Sequence, residues 1–180
     1  MARIEVRPGL WLEPQHPNLA PEYFALVERN LDRLARWEPW ACRPQSLAGI
    51  RTYLAWQAQA AVSRTQLPFV IVRDGEQVGS CTARMDATEG TAEIGYWVGV
   101  EVEGTGVASA SIAALVEHVF ARGDTFRVQA RTAVDNHRSR ALLERLEFNF
   151  EGVARSAQRM PDRRVDLALY ARVTAETLVE

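Results

Sequence analysis

The sequence predicts an α/β (α+β) sandwich built around one mixed sheet. Three observations carry this. Segments with strand periodicity alternate with segments of helical periodicity. Three strand-like runs follow one another between residues 69 and 98, the first two joined at Asp74-Gly75. A strand–helix–strand unit then surrounds Gly104 and Gly106. Three consecutive antiparallel strands ahead of such a unit are unlike a doubly wound nucleotide fold.

Taken in order, residues 4–13 mix apolar and polar side chains and hold a strand, broken at Pro8-Gly9. Residues 21–34 read as a helix: Pro21 suits a first turn, and Phe24, Val27, Leu31 and Leu34 recur at helical spacing. Trp37-Glu38-Pro39-Trp40 is non-helical. Ser46 is a helix cap ahead of the stripe Leu47, Ile50, Leu54 and Ala58. Strands follow over residues 69–73, 77–85 and 91–98, with Gly90 before the last. Ala108, Ile112, Leu115, Val116, Val119 and Phe120 mark an amphipathic helix that Gly123 ends. Residues 126–132 alternate as a strand, and Asp135-Asn136 caps a helix carrying Ala141, Leu142 and Leu146. Two strands, 150–158 and 165–172, close the pattern around a turn at Pro161-Asp162.

Composition bounds the function. A chain of 180 residues, 47% apolar, can bury a core without disulfides or metals, and one domain over residues 1–180 is expected. The net charge of −2 argues against a general nucleic-acid binder. All 21 basic residues are arginine. Cys42 and Cys81 form no metal-ligand spacing with histidine, so free thiols and no metal are expected. Residues 1–6 hold no apolar signal core and no run reaches membrane-spanning length. A cytoplasmic location is therefore expected.

Glu103-Gly104-Thr105-Gly106-Val107-Ala108 lies between a strand and a helix. Two glycines let the backbone turn tightly against a ligand, and the helix start offers unpaired N–H groups to a phosphate or pyrophosphate. The dinucleotide fingerprint fails because Ser109 stands at the third glycine's place, and a P-loop fails without its Lys-Ser/Thr ending. From these six residues, an anion loop and a plain glycine-rich connector both stay open.

The surrounding motifs resemble the GNAT N-acetyltransferase superfamily, on its RimL/RimJ-like ribosomal-protein branch. Glu93-Ile94-Gly95-Tyr96-Trp97 ahead of the glycine loop is similar to that family's fourth strand and pyrophosphate loop. The similarity continues through Val134-Asp135-Asn136-His137-Arg138-Ser139, Leu143-Glu144-Arg145-Leu146-Glu147-Phe148 and Phe150-Glu151-Gly152-Val153, and ends with Asp166 and Tyr170. Leu26-Val27-Glu28-Arg29-Asn30, Trp40 and Asp74-Gly75-Glu76 extend it over the N-terminal half.

The resemblance implies a mostly antiparallel sheet with helices on both faces and a splayed pair between the fourth and fifth strands, where pantetheine lies. It implies acetyl-CoA as co-substrate, with the pyrophosphate on the N–H groups of Glu103, Gly104, Thr105, Gly106, Val107 and Ala108. It places Asn136 beside the pantetheine arm, Ser139 as proton donor to the departing thiolate, and backbone N–H groups near Trp97 and Val98 on the thioester carbonyl. Attack by a neutral amine on the thioester also needs a base.

Two residues depart from the family pattern. The loop begins with Glu103 in place of glutamine or arginine. A carboxylate about 6 Å from the pyrophosphate would repel it by roughly 1–2 kcal/mol per phosphate charge. At the place of the RimL glutamate base stands Gln158, which can orient an amine or water but cannot accept a proton; Gln158→Glu is expected to restore a base. Leu143 fills the place of the tyrosine acid of other branches. Glu93 is the alternative base, and His137 a further titratable group beside Asn136. Asp166 is expected to pair with an arginine. Glu147 stands where the family often has glycine, a change costing about 1 kcal/mol if that position needs positive φ. Trp37, Trp40 and Trp56 are candidates for the amine site, with core packing expected for at least two.

The expected activity is acetyl transfer from acetyl-CoA to a primary amine, either a protein N-terminus, such as that of a ribosomal protein, or a small amine. The alternatives are a degenerate GNAT kept as a binding or regulatory module, and a transferase for another acyl group such as succinyl, with Arg84, Arg155 or Arg159 on the distal carboxylate. Expected partners are acyl-CoA and the amine acceptor, with no nucleic acid and no membrane; a homodimer is one option for assembly.

Overall fold

The computed structural model describes residues 1–174; the last six residues of the expected 1–180 domain lie outside the described residues. Among the described residues, eight strands form one sheet: β1 Ile4–Arg7, β2 Leu10–Pro14, β3 Gln66–Arg73, β4 Glu76–Asp86, β5 Thr91–Val98, β6 Arg127–Ala133, β7 Asn149–Arg159 and β8 Arg164–Val173. Four α-helices accompany them: α1 Ala20–Leu34, α2 Leu47–Val62, α3 Val107–Phe120 and α4 His137–Arg145. The spatial order is β1-β2-β3-β4-β5-β6-β8-β7.

Pro8-Gly9 divides the expected first strand into a hairpin. Gly9 takes φ +77°, a left-handed conformation open to glycine, and its carbonyl accepts the Asp74 N–H at 2.7 Å. β3 begins at Gln66, ahead of the expected start at residue 69. Pro68 is tolerated because the β2 ladder has already ended at the Pro14–Phe69 pair. Pro39–Cys42 forms a short 3₁₀ turn, so Trp40 is more ordered than its non-helical neighbourhood suggested.

Every strand pair is antiparallel except β5–β6. That parallel pair holds only over Thr91–Ile94 against Arg127–Ala130, although both strands run on. Beyond Ile94 and Ala130 they part, which opens a wedge in the middle of the sheet.

Helices cover both faces. α1 and α2 pack Tyr23, Val27, Ile50 and Leu54 against Val70 and Val72 of β3, with Trp97 of β5 joining them. On the other face α3 and α4 pack Ile112, Leu115, Val116 and Leu143 against Leu12, Phe69, Ile71 and Ile94. Val107, Ile112, Leu115, Val116 and Val119 are all completely buried, and burying each side chain stabilises by about 1.5–3 kcal/mol, so α3 is fixed firmly behind the wedge. Its N-terminus is thereby held beside the ends of β5 and β6. No helix among the described residues is long and apolar enough to cross a membrane.

Candidate functional site

A 3₁₀ turn at Val100–Val102 and then the glycine loop connect β5 to α3. Gly104 and Gly106 take φ +73° and +78°, and a Cβ built on either would meet nothing within 4 Å. Their glycine requirement is thus conformational, and the space beside them is open to a ligand. The first intrahelical bond is Ala110 N–H to Gly106 O at 3.0 Å, so the N–H groups of Val107, Ala108 and Ser109 precede the helical ladder. Together with the helix dipole these groups suit a diphosphate. The Thr105 hydroxyl is turned inward, donating to Val102 O at 2.7 Å.

Glu103 is not the isolated carboxylate the sequence suggested. It bridges Arg33 at the end of α1 and Arg138 at the start of α4. Arg33 also donates to Val98 O and lies 3.4 Å from Asn30 Oδ1. Two guanidiniums on one carboxylate leave a local net charge of +1. The simple repulsion of roughly 1–2 kcal/mol per phosphate charge is therefore offset. The sequence assigned no role to Arg33 or Arg138, because each is one of 21 arginines and nothing local marks its partner.

Across the wedge, Asn136 caps α4, its Oδ1 accepting the Ser139 N–H at 3.2 Å. That bond uses the side-chain oxygen and leaves the Asn136 Nδ2 as a donor. Ser139 Oγ lies 2.9 Å from the Tyr96 hydroxyl. Burial pushes the Tyr96 phenol up to about 12, with the Ser139 hydrogen bond opposing the shift. Tyr96 therefore keeps its proton at neutral pH and can relay one through Ser139. No tyrosine was expected here because the family position holds Leu143, which is fully buried; the phenol arrives from β5 instead.

Gly99 N–H donates to Val78 O at 2.7 Å. Alternation along β5 then turns the N–H of Val98 and Tyr96 toward the splayed side and that of Trp97 toward β4. Of the two expected carbonyl-polarising positions, Val98 has the free side of the strand.

A cavity of about 440 Å³ opens on the α1–α2 face of β4 and β5. Trp40, Tyr53 and Trp56 are on its wall, 39%, 38% and 56% exposed. This corrects the expectation that core packing would claim most of the tryptophans. Trp37 lies instead beside a separate depression with Asp32, Arg36 and Arg163. Glu93 lines the cavity, but its carboxylate is engaged by Arg131 at 2.8 Å and Arg84 at 3.7 Å. Arg84 reaches the cavity; Arg155 and Arg159 are not among its lining residues.

Gln158 does not line the cavity either. Its Nε2 donates to Trp37 O at 2.7 Å and approaches Met160 Sδ at 3.4 Å. Glu38 does line it, a carboxylate the sequence reading passed over although it stands between two tryptophans. Its Oε2 accepts the Trp40 indole N–H at 3.1 Å, and burial raises its carboxyl above the usual range against that hydrogen bond. Among the described residues Asp166 pairs with no arginine; its Oδ1 accepts the Ser156 N–H at 2.7 Å across a bulge in β7. His137 is exposed, while His118 lies edge-on to the buried Phe69 at 6.3 Å. Both cysteines are free, and burial pushes the Cys81 thiol up.

Comparison with known proteins finds relatives over nearly the whole chain. Residues 10–149 match the model of the acetyltransferase (GNAT) domain. The ribosomal-protein-serine acetyltransferase of Escherichia coli (strain K12) is 33% identical over 171 residues, covering 94% of this chain and 96% of the relative. A solved structure of RimL, the ribosomal L7/L12 alpha-N-protein acetyltransferase, in complex with coenzyme A superimposes with a TM-score of 0.92 at 26% identity, over 96% of this chain and 98% of the other. RimJ of Mycobacterium smegmatis in complex with CoA-disulfide does so with a TM-score of 0.84 at 27% identity, over 91% and 81%.

Proposed function

This chain belongs to the GNAT acetyltransferases, carrying acetyl groups from acetyl-CoA to amines, and we propose that its acceptor is the N-terminal α-amine of a protein, a ribosomal protein first among the candidates. One observation carries the choice of acceptor: an aromatic-walled cavity, open at Trp40 and Trp56, leads to the strand segment where β5 leaves β6. Exposed aromatic faces suit an extended peptide end and its ammonium group. The names of the Escherichia coli relative and of RimL point to the same acceptor class.

In this reading the residues divide the work by location. The open glycine loop and the first N–H groups of α3 take the diphosphate of the donor. Asn136 Nδ2 and the free edge of β5 orient the pantetheine arm. Val98 N–H offers a donor toward the thioester carbonyl. The thioester supplies an activated acyl carbon. Ser139, backed by Tyr96 at 2.9 Å, returns a proton to the sulfur as the C–S bond breaks. The amine enters from the aromatic side, opposite α3 and α4.

The test is acceptor-dependent thiol release from acetyl-CoA, measured with peptides that copy ribosomal-protein N-termini and with a panel of small amines. Faster release with the free-amine peptides supports the proposal. Release with small amines alone would replace it by a small-amine acetyltransferase.

A further inference from the structure

We propose that Glu38 takes the proton from the acceptor amine, so that the base of this enzyme comes from the turn after α1 and not from β7. The inference rests on the acetyl-transfer reading above and names the group which that reading leaves unassigned.

Two carboxylates line the cavity, Glu38 and Glu93. They differ in what already holds them. Glu93 sits between Arg131 and Arg84, with Gln129 Nε2 at 3.5 Å from its second oxygen. Its lone pairs are occupied by cations on the sheet. Glu38 accepts one neutral hydrogen bond, from Trp40, keeps further lone pairs and lines the cavity.

The backbone around Glu38 is fixed from several sides. Its N–H donates to Leu34 O at 2.8 Å, and its carbonyl accepts from Ala41 N–H at 3.1 Å and from Cys42 Sγ at 3.7 Å. The preceding carbonyl, that of Trp37, accepts the Gln158 amide. The glutamine at the place of the RimL base thus braces the residue next to Glu38. The carboxylate then stands in the neighbouring segment, with Gln158 as its support.

The titratable and charged groups sharing the cavity are Tyr23 of α1, Tyr53 of α2, Arg84 of β4, and Glu93 and Tyr96 of β5. Burial raises all three phenols, so they stay neutral near pH 7. Burial likewise raises the Glu38 carboxyl, which brings its proton affinity closer to that of a working base.

The proton balance is simple. The acceptor ammonium gives one proton to the Glu38 carboxylate, which later releases it to water. The neutral nitrogen forms a bond to the acyl carbon and the C–S bond breaks. The second nitrogen proton leaves to solvent, and the thiolate takes its proton from Ser139, which is re-protonated through Tyr96 or water.

The experiment compares wild type, Glu38→Gln and Trp40→Phe, reading kcat/KM for an N-terminal peptide from pH 4.5 to 9 and acetyl-CoA affinity by calorimetry. Glu38→Gln should bind acetyl-CoA within about twofold of wild type and lose about 10²-fold in kcat/KM at pH 7. The deficit should shrink as pH rises toward the amine's own pKa. Trp40→Phe keeps the carboxylate and removes its hydrogen-bond donor, so the acid limb of its pH profile should move to higher pH. Glu38→Gln within about threefold of wild type with an unchanged acid limb overturns the proposal alone. If Glu38→Gln fails to fold, an unmoved acid limb in Trp40→Phe overturns it. A wild type that binds acetyl-CoA yet acetylates no amine overturns the acetyl-transfer reading and the proposal with it.

Discussion

Gln158 Nε2 donates to the Trp37 carbonyl at 2.7 Å, tying β7 to the turn that carries Glu38. This bond changes what a carboxylate at position 158 would do. An ionised glutamate cannot donate, so Gln158→Glu would set an acceptor against an acceptor. We expect it to destabilise by about 1–3 kcal/mol at pH 8 and to bring no gain in turnover, contrary to the sequence expectation.

The sign with pH follows from the donor requirement. Once protonated, the carboxyl introduced by Gln158→Glu can still donate to Trp37 O, so the fold favours the neutral acid and raises its folded pKa. The penalty should therefore shrink as pH falls. Urea denaturation of both forms at pH 5 and pH 8 measures it; an equal penalty at both values would show that the hydrogen bond is not the cause.

Glu147 stands at φ +62° just past α4, with Phe148 N–H bonded to Leu143 O at 3.0 Å. This is the left-handed position of a helix C-cap, where glycine is favoured. Glu147→Gly should stabilise the protein by about 1 kcal/mol, visible as a higher urea midpoint with unchanged slope. A lower midpoint would mean that the glutamate side chain makes a compensating contact.

Glu103, the first residue of the glycine loop, engages the Arg138 guanidinium. Glu103→Gln should free that guanidinium and tighten CoA binding by about fivefold at low salt, with the gain fading as salt rises. Calorimetry on Glu103→Gln, Arg138→Gln and the double variant separates the causes. If the gain persists when Arg138 is already absent, the carboxylate acts by direct repulsion instead.

Ser139 and Tyr96 share one hydrogen bond, so their substitutions should not add. Ser139→Ala and Tyr96→Phe should each lower kcat with little change in acetyl-CoA affinity, and the double variant should fall no further than Ser139→Ala. Additive losses would assign the two groups to separate steps.

Much of this architecture was legible in the sequence. The periodicity of residues 107–120 and the turn signals at Asp74-Gly75 and Gly90 carried the element order, because apolar spacing and glycine chemistry act locally. The tight turns at Gly104 and Gly106 were legible for the same reason. Contacts between distant segments were not. Glu103 meets Arg33 and Arg138 across 70 and 35 residues, and Gln158 meets Trp37 across 121. Which arginine neutralises which carboxylate depends on the packing of α1 and α4 around the wedge, and no spacing rule encodes it. Glu38 was hidden differently: its chemistry arises from desolvation beside Trp40, a property of the folded cavity.

The central claim is that this chain moves an acetyl group from acetyl-CoA to a protein's N-terminal amine. It is tested most directly by mass spectrometry of a serine-initiated peptide incubated with wild-type protein and acetyl-CoA. The peptide should carry an internal lysine, and a matched copy should have its α-amine blocked. One acetyl group is expected on the free α-amine, none on lysine and none on the blocked peptide. Acetylation of the lysine in both peptides, or of neither peptide while small amines are modified, would contradict the claim.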